Sequence, residues 1–264
     1  MNQKPPAAQS ANPVCSQDHP SRLHRLFLAC GHFFFRVRNG LFPCTFLLLF
    51  FFTRPARFLG DPVLDKFLVA AGIAIALAGA SFRMAVIGYA YIQRGGKDGK
   101  IHADRLVVRG FYAHTRNPMY VGNFLITVGM SLIYGSVWAY GIVIPFFAFV
   151  YLSIVVAEEA YLLDRFGSDY ETFTKRVNRF LPALRGIRKS LREFRFDWKK
   201  ALRKDYGTAS GTLSGILFLI VWKSFYFHRF EAGSQEFLLL ALFVPVLVFY
   251  IVVRHLKKSH RLDS

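Results

Sequence analysis

Two adjacent glutamates, Glu158 and Glu159, end an apolar stretch that opens on Asn117 and Pro118. Asn is a good helix N-cap and Pro suits the first helical position, so this pair starts one helix and the glutamates end a second. The apolar run between them breaks around Gly135 and Ser136. Two helices folded back as a hairpin bring Asn117, Tyr120 and the glutamates to one membrane surface, where they form a polar mouth beside lipid. Adjacent residues on a helix point about 100° apart, so at most one of the two glutamates lines a pocket there. Taken alone, Asn117-Pro118 is an ordinary helix start, and paired glutamates at headgroup level cost little. Arg83 lies inside another apolar run, a position that marks a functional candidate by default, although near an interface an arginine also simply snorkels.

The elements that must position these residues are membrane helices. The chain has 264 residues, of which 53% are hydrophobic, with 29 Phe and a mean hydropathy of +0.31. Those values exclude an ordinary soluble domain. Apolar runs fall at about residues 40–52, 67–91, 118–134, 137–157, 213–227 and 237–253. The first is short against the roughly 20 residues that cross a bilayer. The second is rich in Ala and Gly, which lets membrane helices approach closely. Pro145 predicts a kink in the fourth. Between Arg and Lys, Ile187, Leu191, Phe194, Trp198 and Leu202 recur at helical spacing, which predicts a basic amphipathic helix on the membrane surface. The fold class is all-α, a polytopic bundle of five to six transmembrane helices plus that interface helix. Its organisation reads as a disordered cytoplasmic tail at 1–25, membrane helices at 26–100, a core at 101–182, the interface helix at 183–208 and closing membrane helices at 209–264.

Charge sets the orientation. Of 34 Lys and Arg, 28 fall on one side of this topology, which the positive-inside rule assigns to the cytoplasm. Both termini and the polar mouth are therefore expected to be cytoplasmic, in a bacterial inner membrane, within reach of a soluble cofactor. The net charge of +18 lies in blocks between apolar runs, the pattern that serves anionic lipid headgroups and topology rather than nucleic acid. Cys15, Cys30 and Cys44 have no metal-ligand spacing, and no metal is expected. The run at residues 94–97, Arg-Gly-Gly-Lys, reads as a loop.

Between residues 101 and 182 stand Leu106, Val107, Gly110, Tyr112, Arg116, Pro118, Tyr120 and Gly122, followed by Glu158, Glu159, Phe166, Gly167, Tyr170, Arg179 and Pro182. In that order they resemble the isoprenylcysteine carboxyl methyltransferase family, which is itself similar to phospholipid methyltransferases in these segments. The resemblance implies a membrane methyltransferase that uses S-adenosylmethionine and a lipophilic acceptor bearing a carboxylate, amine, thiol or hydroxyl. It implies a cofactor site of Asp104, Arg105, Leu106, Val107, Tyr112, Asn117, Pro118, Met119, Tyr120 and Glu158. The physics is compatible: a helix N-terminus at 117–120 suits the cofactor's carboxylate, Glu158 its amino group or ribose, and Tyr112 or Tyr120 its sulfonium. Methyl transfer is an in-line displacement, so positioning and a dry site do most of the work.

Two positions depart from the family. Its His after Arg116 is Asn117, which donates and accepts hydrogen bonds but takes no proton near neutral pH. The position one turn before Glu158, where carboxyl-methylating members carry an acceptor-binding Arg, is Ile154. Arg83 is the candidate to offset that loss, so Glu158, Asn117 and Arg83 are the catalytic candidates. Two other readings remain at this stage. One is an NADPH-dependent reductase of sterol-reductase type, although Met119 and Asn123 stand where that signature has Asn and Glu; the other is a transporter or assembly factor without chemistry.

Overall fold

A computed structural model describes residues 21–89, 101–192, 194–227, 240–259 and 261–262. The expected tail at residues 1–20, the loop at 94–97 and the first residues of the expected sixth span, 237–239, lie outside the described residues. The described elements are helical: α1 (Arg22–Phe52), α2 (Pro62–Tyr89), α3 (Pro118–Tyr134), α4 (Ile144–Arg176), α5 (Ile187–Arg192), α6 (Trp198–Phe227) and α7 (Phe243–Lys258), with short 3-10 turns before α2 and α3. Four helical segments are long and apolar enough to cross a membrane, namely α1, α2, α6 and the segment Ala139–Arg176 that contains α4, while α3 is apolar but shorter. The polytopic membrane bundle read from the sequence is the architecture found.

Three elements differ from their sequence outlines for physical reasons. Helix α1 begins at Arg22, where the Ser21 hydroxyl caps it by accepting from the His24 N–H at 3.2 Å, so it runs 31 residues and far exceeds the apolar run at 40–52. Hydropathy sees only the apolar half of such a helix. The expected interface helix at 183–208 is divided: α5 ends at Arg192, and α6 starts at Trp198 and runs unbroken into the membrane. Pro145, expected to kink the fourth span, stands in the first turn of α4, directly behind a π-helical turn at Ala139–Val143. A wider turn there absorbs the proline's missing N–H.

Helices α2 and α3 pack most extensively, α1 lies on α4, and α6 joins α2 to α7. The α2–α3 seam depends on glycine: a Cβ added to Gly129 would lie 2.5 Å from the Gly72 carbonyl oxygen. Small residues give membrane helices their van der Waals contact. The seam is lined by Ala76, Ala80, Ile126, Met130 and Ile133, part of a buried core that continues into Phe147 of α4 and Leu219 of α6. Farther along α4, Gly167 breaks the helix at φ 50° and ψ −125°, a conformation that favours glycine, and turns the chain so that Tyr170 is buried. From Ala139 to Glu158 the helix climbs roughly 28 Å, close to the hydrocarbon thickness, so the glutamates stand at its polar edge.

Candidate functional site

The polar end is built by two segments that fasten to each other, 114–117 before α3 and 178–183 after α4. The Arg116 N–H donates to the Asn178 carbonyl at 2.9 Å, and the Ala183 N–H to the His114 carbonyl at 3.0 Å. Side chains add to this. Thr115, fully buried, donates from Oγ1 to the carbonyls of Arg179 (3.3 Å) and Phe180 (3.1 Å), and His114 Nδ1 meets the Ala183 carbonyl at 2.6 Å. Asn117 has a divided role. Its backbone carbonyl caps α3 by accepting from Tyr120 and Val121, but its side chain makes no capping bond and donates from Nδ2 to the Arg179 carbonyl at 3.1 Å. The N-cap expected of Asn117 is thus made by backbone alone, its side chain being spent on the Arg179 carbonyl.

The two glutamates go to different partners. Glu159 is gripped by Arg179, whose Nε and Nη2 reach its carboxylate at 3.1 and 2.7 Å, and by Arg116, whose Nε lies 3.2 Å from it as an ion pair. Glu158 accepts from the Tyr120 hydroxyl at 2.9 Å, and that hydroxyl in turn accepts from Arg38 at 3.3 Å. Arg38 also stands 3.8 Å from Glu158 itself. No hydrogen bond to Glu158 Oε2 is found among the described residues, so this carboxylate keeps unused acceptor capacity. Phe35, Val150, Ile154 and Val155 pack around Tyr120, and Ile101 and Phe180 close over the same cluster. Tyr112, half-buried in the turn before α3, is held protonated above its ordinary pKa by burial first and by the charge of Glu158 second, with Arg83 opposing.

Other expected site residues are placed less centrally. Arg83 is buried and donates to Asp205 Oδ1 at 2.5 Å, to Asn123 Oδ1 at 2.6 Å and to Thr208 Oγ1 at 3.3 Å, which ties α2 to α3 and α6. Asp104 is exposed and meets His102 Nε2 at 2.9 Å. Arg105 is exposed as well, whereas Leu106, Val107 and Met119 are half-buried and Pro118 is buried. The structure therefore gathers Tyr120 and Glu158 around one hydroxyl–carboxylate contact and sets Tyr112 in their field.

Two residues at this end escaped sequence reading. Arg38 looked like one of several arginines flanking a short span; its only signal was a cation inside a helix long enough to cross. Asp205 was an acid amid Lys199, Lys200, Arg203 and Lys204, and that isolation was the available hint of a buried partner.

Comparison with known proteins points to the same helices. Residues 66–169, from the first turn of α2 past both glutamates, match the family model described as phospholipid methyltransferase. The chain is also 32% identical over 162 residues to the protein-S-isoprenylcysteine O-methyltransferase of Schizosaccharomyces pombe, an alignment covering 60% of this chain and 62% of that protein. The chain thus spans under two thirds of the length of the curated relative it matches. No solved structure matches. The likeness read from ordered motifs in the hairpin recurs over the same helices, and residues 66–169 are similar to the phospholipid methyltransferase family.

Proposed function

We propose that this protein is a membrane-embedded methyltransferase that uses S-adenosylmethionine to methylate a lipophilic acceptor, with its site at the Glu158 end of the bundle. The observation that supports it most is Glu158: a carboxylate at the polar edge of a span, held by one phenol and left with free acceptor capacity, while its neighbour is fully clamped. S-adenosylmethionine, when bound, supplies an electrophilic methyl group.

The residues present suit that cofactor. Glu158 Oε2 accepts from an ammonium or ribose hydroxyl, and Tyr120 fixes the carboxylate's orientation by donating to Oε1. Tyr112, kept neutral, offers a ring and a hydroxyl without adding negative charge. The first turn of α3 offers the Met119 N–H to a carboxylate, Pro118 having none and the Tyr120 N–H being spent on the Asn117 carbonyl; the Asn117 side chain is turned to Arg179 and does not occupy it. Asp104, Arg105, Leu106, Val107, Pro118 and Met119 complete the wall. Ile154, Phe35 and Val155 exclude water from the side of the site that faces the membrane. Arg83 has its charge met by Asp205, so we assign it a positioning role through Asn123 and Asp205; the cation that reaches Glu158 is Arg38.

The acceptor is a lipid or an isoprenoid-linked group; the name of the Schizosaccharomyces pombe relative gives isoprenylcysteine, and the matching family model gives phospholipid. The polar end faces the cytosol of a bacterial inner membrane, with both termini on that side and the basic face of α5 and the start of α6 against anionic headgroups. Calorimetry of the detergent-purified protein with S-adenosylhomocysteine tests the reading, with NADPH as comparator. Binding that Glu158→Ala weakens at least tenfold supports it; binding of NADPH instead, or of neither ligand, overturns it.

A further inference from the structure

At the opposite end of the bundle, where α1 and α6 finish and α2 begins, lies a second polar centre unrelated to Glu158. Lys223, only 6% exposed although it sits inside a span, donates to Asp65 Oδ1 at 2.7 Å and to the Ile133 carbonyl at 3.3 Å. An ammonium has three protons, and these bonds use two. Beside the pair opens a cavity of about 170 Å³, lined by Arg57, Lys66, Val69 and Ile220 as well as by Lys223 and Asp65. Three cations face one carboxylate, so the pocket is net positive.

Its depth and walls narrow the ligand. Asp65 and Lys66 lie in the first turn of α2, at headgroup level, and the rings of Phe58 and Tyr140, 6.2 Å apart, lie at the same end as an interfacial aromatic pair. Val69 and Ile220 lead from the pocket along α2 and α6 toward hydrocarbon. The Arg57 guanidinium is held 4.7 Å over the Phe227 ring, which fixes its direction at the rim. Ionisable groups buried in a span mark ligand sites by default. A small cationic chamber with an apolar exit fits an anion that carries an acyl tail.

We propose that this pocket binds the phosphate of a phospholipid from the leaflet opposite the Glu158 mouth. Arg57 and Lys66 meet the phosphate oxygens, the third proton of Lys223 points the ester inward, and the acyl chain runs past Val69 and Ile220. Asp65 pairs with the lysine and leaves the net charge low enough for exchange with the leaflet.

The test is native mass spectrometry of the full chain, titrated with phosphatidylglycerol, for wild type and for Arg57→Gln/Lys66→Gln. Both substituted residues are exposed, so folding should persist. The expected result is one tightly held lipid fewer in the variant. Its affinity should fall about 25-fold, roughly fivefold for each cation removed from a headgroup surface, while lipids on the basic α5–α6 face are retained in both. Lipid should also raise the thermal midpoint of wild type more than that of the variant. Equal lipid counts and equal stabilisation overturn the proposal. So does inorganic phosphate binding that depends on Arg57 and Lys66 where phosphatidylglycerol binding does not, which would make the site one for a free anion. Unchanged S-adenosylhomocysteine binding in the variant keeps this outcome separate from the proposed methyltransferase site.

Discussion

Glu158 and Glu159 are identical, adjacent and on one helix, yet they meet opposite fates. Glu159 faces Arg116 and Arg179 and is saturated by them, whereas Glu158, about 100° round the helix, faces Tyr120 and is not. Saturation marks a structural carboxylate. Its arginines also anchor the segments before α3 and after α4, so Glu159 holds the mouth's frame while Glu158 keeps open acceptor capacity. Their identical chemistry shows that role here is set by neighbours, several of them far away in sequence.

The comparison breaks first at Glu159. Glu159→Ala strands two arginines, one of them mostly buried, and should cost about 3 kcal/mol, seen as loss of folded yield and a lower thermal midpoint in detergent. Arg179 is about two-fifths exposed, which keeps the figure at the low end for such a pair. Glu158→Gln should leave that midpoint within about 0.5 kcal/mol of wild type and weaken S-adenosylhomocysteine binding about tenfold, read by calorimetry. Equal destabilisation by both variants would erase the distinction. Tyr120→Phe removes the phenol that orients Glu158, and should weaken the same binding about fivefold, the net worth of one ordinary hydrogen bond, because the phenol acts on the ligand only through the carboxylate. Arg38→Leu should have the smallest effect, about two- to threefold, and one that fades as salt is raised, because its contact with Glu158 is long and partly exposed.

Much of the frame was legible in the sequence because it rests on local signals. Length of apolar run found α2, α3 and the membrane part of α4, and Asn117-Pro118 set the start of α3. The polar half of α1 was not legible, since a helix that leaves the hydrocarbon loses the only property hydropathy measures; that of α6 was read as helix, but not as continuous with the span after it. Phe166-Gly167 stood out as a motif, but only the backbone showed why: Gly167 turns α4 with a positive φ. Partners joined over long sequence distances were invisible in principle. Arg38 reaches Tyr120, Arg83 reaches Asp205 and Lys223 reaches Asp65 across separate helices, and one sequence carries no record of such pairings.

The fastening of residues 114–117 to 178–183 also bears on the order in which the protein matures. Every bond of that zipper joins residues up to Ala183, and the Glu158–Tyr120–Arg38 contact needs nothing later. The partners of Arg83 and Asp65 arrive only with α6. During synthesis, then, the carboxylate–phenol contact can form before α6 is made; the turn that carries Tyr112 gains its packing with α5, and α6 adds the partners of Arg83 and Asp65 last.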